Sequence, residues 1–597
     1  MRFPSIDALA ARARSVLFRF PWPLAAGTVA ATAAIIGSNS ANVDEKFWFH
    51  LCLVAMLGIP LTLALTLLSE RRGFSGTVRT GLVAAGVLGL AWFFHTWPGP
   101  EQKHLMIRYL QLSAAIHLSV AFLPFMGRPE GRGFWQYNRR LFEGFLRAVL
   151  FSAVLFVGLA IALGALDKLF GVDIEGETYI RLWFLVAFVV NTWIFLASVP
   201  EEFDELEESD SYPKALKVFT QYILTPLVAV YLVILLAYLV KIVVTGSWPS
   251  GWIGYLVSSV GTVGLLGFLL VHPLRSSASE GWIRTYARWL FVGLVPAAAM
   301  FLLALWKRVG PYGLTELRFL GLLLGAWLLG IALLYTVRRE SGIRIIPVSL
   351  AVILLLTAFG PVGSTAMSVR SQAERIREIS EASDLRITGS VPAGQGNLES
   401  DDRRQLSEAL RFLLERNAAG TVRELFGERA GRLDGFEPDN AAQVDSVATA
   451  VMASFGVKYV ARYDYDPGEF LSVSTPNNDP LAISGFDYVV SLSGNGSSAF
   501  VIGADSMTVT TDTTRLVILV ERGGEAVLAF ELLPLIDSLM ARDPSTRQSV
   551  PLRLEGKGSW RGMLALGWLS SQRRDGRIRL SDWNGDLYLA LAGSAAP

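Results

Sequence analysis

The hydrophobic pattern divides the chain in two. Apolar runs recur at about 21–37, 47–68, 80–97, 105–125, 148–166, 182–199, 218–244, 252–272, 287–306, 317–337 and 344–360, each about 17–27 residues long. At ~1.5 Å per residue such runs suit helices crossing a hydrocarbon core of ~30 Å. Backbone groups in lipid must be satisfied within the segment, so continuous runs of this length suit helices and not the alternating strands of a barrel. The pattern predicts eleven spans, with Pro60, Pro226 and Pro296 interrupting three of them. Gly321 and Gly325, and the Gly261, Gly264, Gly267 row, predict helix-packing faces.

After Gly360-Pro361-Val362-Gly363 the runs stop. Ser364 to Ser383 reads as a solvated connecting helix, and Gly389 to Gly396 as a loop. Leu406, Leu410, Leu413 and Leu414 mark one face of a helix from Ser400 to Arg416, and Asn440 caps another running to Phe455. From Val457 the period shortens to two. Strands are predicted at 457–463, 469–474, 485–493, 499–511, 515–521, 525–531 and near 550–555 and 577–591, with a hairpin turn at Gly523-Gly524 and a short helix from Pro534 to Met540. The expected fold is an α-helical polytopic membrane bundle of about 11 transmembrane helices, followed by a soluble α+β domain with an antiparallel sheet. Its parts are a basic amphipathic N-terminal segment (1–20), a transmembrane helical domain (21–363), a connecting helix and loop (364–398) and the soluble α+β domain (399–597).

Composition agrees with this division. The chain is 52% hydrophobic, and its mean hydropathy of +0.42 exceeds what a soluble protein of 597 residues sustains. Residues 1–363 hold 29 Lys and Arg against 21 Asp and Glu; residues 364–597 hold 24 against 31. With the N-terminus inside, the inner segments hold nineteen basic residues and the outer loops eight. This predicts a multi-pass protein of the cell inner membrane, with a cytoplasmic N-terminus and an extracytoplasmic, periplasmic C-terminal domain. The run from Pro21 to Gly37 also reads as a signal peptide with Ser38-Asn39-Ser40-Ala41 as its cleavage site; the uncleaved span is preferred because the n-region is long. Cys52 is the single cysteine, so no intramolecular disulfide forms.

At this point several ordered motifs carry a resemblance. They include Gly133-Phe134-Trp135-Gln136-Tyr137-Asn138-Arg139-Arg140, Leu166-Asp167-Lys168-Leu169-Phe170-Gly171, Asn191-Thr192-Trp193, Pro200-Glu201-Glu202-Phe203 and Tyr212-Pro213-Lys214. Phe219-Thr220-Gln221-Tyr222, Tyr312-Gly313-Leu314-Thr315-Glu316 and Arg370-Ser371-Gln372 extend them. From about 130 to 385, and more weakly to the end, the chain resembles a bacterial membrane-protein family catalogued as domain of unknown function 4153. The resemblance implies a multi-pass inner-membrane protein with a soluble tail. It implies no activity and no catalytic residue.

The candidate chemistry is sparse. The tail has neither His nor Cys, which excludes Ser-His-Asp and Cys-His catalysis and typical zinc sites within it. Asp464, Asp466 and Glu469 offer oxygens for Ca²⁺, but a plain turn explains them better. No phosphate-binding glycine loop occurs; no cofactor and no nucleic-acid partner are expected. His50, His95 and His104 gather at the outer face beside Asp44, Glu45 and Glu101, as a metal site or as ordinary interfacial histidines. In the fourth span His104, Arg108 and Gln111 share one helical face, and Ser113 and His117 another. Ionisable groups at depth face an interior or a water path, so a polar cavity around His117, with Asn191 of the sixth span, is one candidate and a structural hydrogen-bonded pair the other. Glu201, Glu202, Asp204, Glu205, Glu207 and Glu208 lie between the sixth and seventh spans, with Phe203 and Leu206 on a separate face. Seven acids up to Asp210 repel one another unless cations are near, which predicts an internal clamp to the Trp135–Arg140 segment with Arg139 or Arg140 as their partners, preferred to a partner or cation site. Glu143 and Arg147 form an i,i+4 pair by spacing.

Two functional classes follow. A transporter- or channel-like bundle is favoured because eleven spans exceed what an anchor needs; the alternative is a membrane-anchored sensor or assembly scaffold whose soluble domain binds a ligand or partner. An enzyme is the third choice. Beyond the lipid bilayer, the sequence leaves the partner open among a small molecule, an ion and a protein.

Overall fold

The computed structural model describes residues 6–38, 44–97, 103–246, 252–276, 281–338, 341–383, 385, 398–430, 436, 438, 440–461, 470–474, 483–494, 497–513, 515–540, 552–574 and 577–590. Two compact units emerge, Met1–Tyr459 and Val460–Pro597.

The first unit is helical. Helices α1 (Ile6–Arg19) and α2 (Pro21–Gly37) meet at 98°, with Pro21 in the first turn of α2 where a missing N–H costs nothing. Then follow α3 (Glu45–Arg72), α4 (Gly76–Thr96), α5 (Lys103–Phe122), α6 (Arg132–Phe170) and α7 (Gly176–Leu196). A short α8 (Asp204–Glu208) lies in the acidic loop, ahead of α9 (Lys214–Thr245), α10 (Trp252–Val271), α11 (Gly281–Tyr312), α12 (Glu316–Val337) and α13 (Ile345–Ala358). Among the described residues nine helices are long and apolar enough to cross a membrane, ten if α1 and α2 count as one bent span. All eleven expected spans are helices, but α13 has only 14 residues, about 21 Å at ~1.5 Å per residue, short of a ~30 Å core.

The eleventh apolar run is continued by a second helix. Arg344, before α13, donates to the Phe125 carbonyl at one end of the bundle. Thr357, near its end, meets Gln111 of α5 inside the bundle. The chain turns at Gly360 (φ 74°) and restarts as α14 (Ser364–Ala382) at the same level, since Ser364 donates to Gln111. Gln372 then reaches the opposite end, donating to the carbonyls of Tyr312 and Leu314 between α11 and α12. The first turns of α14 therefore lie within the bundle, and its buried face carries Ser364, Ser368 and Gln372. The expectation of a wholly solvated connecting helix is corrected for this stretch.

Two spans contain π-helical turns, Val186–Val190 in α7 and Phe219–Leu224 in α9. The second immediately precedes Pro226, whose missing N–H would leave a carbonyl one turn back unpaired in a regular α-helix; widening the turn absorbs that defect. The first packs against α2. A Cβ on Gly27 would stand 2.6 Å from the Phe188 carbonyl oxygen, a backbone atom that cannot swing away. Gly27→Ala is expected to lower stability by about 1–3 kcal/mol through overpacking, read as the thermal midpoint of the full chain in detergent; an unchanged midpoint would show that α2 does not depend on this approach. The glycine faces behave as expected: Gly321 and Gly325 meet Leu305, Leu302 and Phe301 of α11, and Gly261 and Gly264 meet Leu328 and Leu290.

Helices α15 (Ser400–Glu415), α16 (Ala419–Phe426) and α17 (Ala441–Ala453) pack with α14 in this same unit. Leu406, Leu410, Leu413 and Leu414 are buried as their spacing predicts, and Asn440 caps α17 by accepting from Ala442 and Gln443. The hydrophobic and turn pattern places the start of the soluble domain at 399, whereas the two compact units divide after Tyr459.

The second unit is a two-sheet antiparallel sandwich. Its strands are β1 (Phe470–Ser474), β2 (Tyr488–Ser493), β3 (Ser497–Ile502), β4 (Asp505–Asp512), β5 (Val517–Arg522), β6 (Glu525–Glu531), β7 (Arg553–Glu555), β8 (Lys557–Gly558), β9 (Arg561–Arg574) and β10 (Arg577–Ala590). One sheet runs β1-β9-β10-β2 with β7 on β9, the other β3-β4-β5-β6-β8. Alternate residues such as Met507 and Val509, Ile518 and Val520, and Leu587 and Leu589 fill one core with α18 (Leu533–Met540). The expected 499–511 strand is two, broken by a turn at Gly503 (φ 62°), and the long β9 was not foreseen. Residues 457–461 are not a strand; the turn at 464–469 and the loop at 389–396 lie outside the described residues.

Candidate functional site

One end of the first unit is bound together by arginines. Arg19 pairs with Glu70 (2.9 Å) and donates to the carbonyls of Val199 and Pro200; Arg79 also reaches Glu70 (3.6 Å). Arg71, with 6% of its side chain exposed, packs over Phe125 and Phe203 and pairs with Asp204 at 2.6 Å. Arg132 pairs with Asp210 at 2.5 Å, and Glu207 accepts from the Gly133 amide at 2.8 Å. Gln136 donates to the carbonyls of Ser209 and Ser211. In the acidic loop Phe203 and Leu206 are buried, while Glu201, Glu202, Asp204, Glu205 and Glu208 are exposed, as the spacing required.

The predicted clamp between this loop and the start of α6 therefore exists, but its cations are different. Neither Arg139 nor Arg140 pairs with an acid of 201–210. Arg139 turns back along its helix to Glu143 (2.8 Å) and Gln136, which also displaces the expected Glu143–Arg147 pair. The end of α3 lies against the loop, so Arg71, distant in sequence, is the closer cation.

Beside this clamp is a cavity of about 950 Å³ lined by Glu130, Arg132, Trp135, Gln136, the loop 209–212, the turn 272–275, Arg284 and residues 341–343. Trp135 and Tyr212 stack on its wall with centroids 5.4 Å apart, donating to the carbonyls of Leu269 and Leu270. Burial pushes the Tyr212 phenol up to about 12, so it remains the donor in this bond at neutral pH.

The polar residues of α5 divide as their two faces predicted, though with the roles exchanged. Gln111 is 2% exposed and joins Thr357 (3.1 Å) to Ser364 (3.0 Å) across the break between α13 and α14. Arg108 lies one turn away with its guanidinium 5.6 Å from the Phe359 ring, in the break itself. His104 is buried one turn further on, its Nδ1 without a hydrogen bond. His117, the preferred candidate, is exposed on the outside of α5, its Nδ1 2.7 Å from the Ser113 carbonyl oxygen of its own helix. No hydrogen bond joins it to the half-buried Asn191, because α5 turns its other face toward α13 and α3. That expectation is corrected.

The histidine metal site is also not assembled. Among the described residues no three His, Cys, Asp or Glu are grouped to hold a metal ion. His50 stacks on Phe94 (4.4 Å) and meets Trp97 edge-on, His95 is exposed, and His104 is buried. Thr357 and Ser364 were missed from the sequence. A hydroxyl near the end of an apolar run looks like a helix terminus, and only the partner glutamine makes it part of a network.

The sequence model of a family described as "Domain of unknown function (DUF4153)" matches residues 24–391, which takes in the break between α13 and α14 and all of the arginine-rich end except Arg19. An uncharacterized protein of Pasteurella multocida (strain Pm70) is 19% identical over 305 residues, 51% of this chain and 51% of that protein, so the chain spans about half the length of the curated relative it matches. No solved structure matches.

Proposed function

From the premise that this chain belongs to the DUF4153 family, whose description names no activity, we propose that it is a transporter-like membrane bundle with its working site at the break in the eleventh crossing. The observation that carries this reading is the interrupted span: α13 ends and α14 restarts around Gln111, Thr357 and Ser364, inside the bundle. Interrupted spans put polar backbone ends and side chains at depth, where a substrate or ion is held, and a gate needs elements that can move by rigid rotation at such a joint. The π turns in α7 and α9 support the same reading, since such turns concentrate at functional positions. The arginine-rich end faces the cytoplasm on this reading, and the second unit lies on the other side of the inner membrane.

The test uses the single native thiol. In a Cys52→Ala background, Ser364→Cys should react with a small membrane-impermeant thiol reagent in proteoliposomes, while a cysteine at the lipid-facing Val233 position stays unreacted. Absence of labelling at 364 under every condition that labels a surface cysteine would leave a closed bundle. That outcome favours the sensor or scaffold reading, for which the ion pair tying α15 to α12 is the supporting observation.

A further inference from the structure

We infer that the cavity at the arginine-rich end is a binding site for a phosphate-bearing anion. It is separate from the interrupted crossing and stands without that reading. Three guanidiniums, Arg132, Arg275 and Arg284, line it against two carboxylates, Glu130 and Asp210. Both carboxylates are already engaged. The Glu130 oxygens accept from the backbone amides of Ile343 (2.6 Å) and Arg344 (3.2 and 3.3 Å), and Asp210 holds Arg132. Among the described lining residues three guanidiniums face two carboxylates, so the formal charge of the lining is positive.

The geometry favours a polyoxygen anion over a simple monocarboxylate. One arginine fork satisfies a carboxylate, whereas several guanidiniums around one cavity suit the larger charge and oxygen count of a phosphate. Arg284 lies in the first turn of the 32-residue helix α11, near the positive end of its dipole. A cation there is disfavoured by the dipole, and an anion between the helix start and the guanidinium relieves both. At about 950 Å³ the cavity is far larger than a phosphate ion, so the ligand has a further body, and the stacked Trp135–Tyr212 wall offers it an aromatic surface. The position at one end of the spans allows two sources for the same chemistry: the headgroup of an anionic phospholipid, or a soluble phosphate monoester.

Full-length protein in phosphatidylcholine nanodiscs separates these. Glycerol 3-phosphate would be titrated calorimetrically, and retention of phosphatidylglycerol measured by native mass spectrometry from nanodiscs containing it. Saturable glycerol 3-phosphate binding assigns a soluble ligand; selective phosphatidylglycerol retention assigns a lipid. In either arm Arg284→Gln should weaken binding at least about ten-fold, as for loss of a charge-assisted bond, and Arg284→Lys less. Arg181→Gln, a half-buried arginine in α7 paired with Glu177, should change it less than about two-fold. Arg284 is exposed, so its variants should keep the parent thermal midpoint. No saturable binding of either probe, or equal losses in the 284 and 181 variants, overturns the proposal. Labelling at residue 364 is read independently, so the two proposals fail separately.

Discussion

Arg416→Ala is expected to cost about 3–5 kcal/mol, the range for removing one partner of a buried ion pair. Glu316 and Arg416 are a hundred residues apart in sequence, yet their side chains are 2% and 9% exposed. The guanidinium donates twice, Nε to Oε1 at 2.7 Å and Nη2 to Oε2 at 3.0 Å, and it also lies against the Phe412 ring and Glu415. Glu316 sits in the first turn of α12, at the positive end of the helix dipole. Taking away the arginine leaves that carboxylate buried and uncompensated at the joint between α12 and α15. The double change Glu316→Leu, Arg416→Leu should cost much less than the single one, because it removes the charge along with its partner. Denaturant unfolding of the full chain in detergent, followed by proteolysis within α15, reads both. A loss under about 1 kcal/mol for Arg416→Ala, or an equal loss for the double variant, would mean that the pair does not hold this joint.

The second large effect belongs to the sandwich. Trp583 is 2% exposed, among the largest fully buried side chains, and its indole N–H donates to Thr511 Oγ1 at 3.2 Å, tying β10 of one sheet to β4 of the other. Register shifts between Leu580 and Asp582 and between Asn584 and Gly585 flank it, which sets where along β10 the side chain turns inward. Trp583→Ala should cost about 3–5 kcal/mol by leaving a cavity between the sheets. Thr511→Val keeps the volume but strands the indole N–H, and should cost about 1–3 kcal/mol. Hydrogen exchange on the full chain would show the loss in β4, β9 and β10 with the helices of the first unit still protected. If protection in β4 and β10 were kept in the alanine variant, Trp583 would not be what joins the sheets.

Much of the candidate chemistry was legible only as faces. The spacing of His104, Arg108 and Gln111 put them on one side of α5, and Phe203 and Leu206 on one side of the acidic helix; both groupings stand in the fold. What lay opposite each face was not legible. His117 had the same polar character and comparable depth along α5, yet faces outward, because α13 and α3 pack on the other side. Arg139 and Arg140 were nearest in sequence pattern to the acids, yet Arg71 and Arg132 reach them.

By itself the sequence determined where the helices and most strands lie, since runs of about twenty apolar residues and period-two alternation are properties of contiguous chain that burial rewards locally. It also determined that the acids need cations and that the glycine rows are packing faces. The tertiary structure alone decided which cation meets which acid, that a 14-residue helix and the start of the next meet at Gln111, and that Glu316 meets Arg416. Those choices depend on residues brought together from 50 to 250 positions apart, as the separations of Arg19 from Glu70 and of Gln111 from Ser364 show. Local periodicity carries no term for such separations; packing of one helix face against another supplies it.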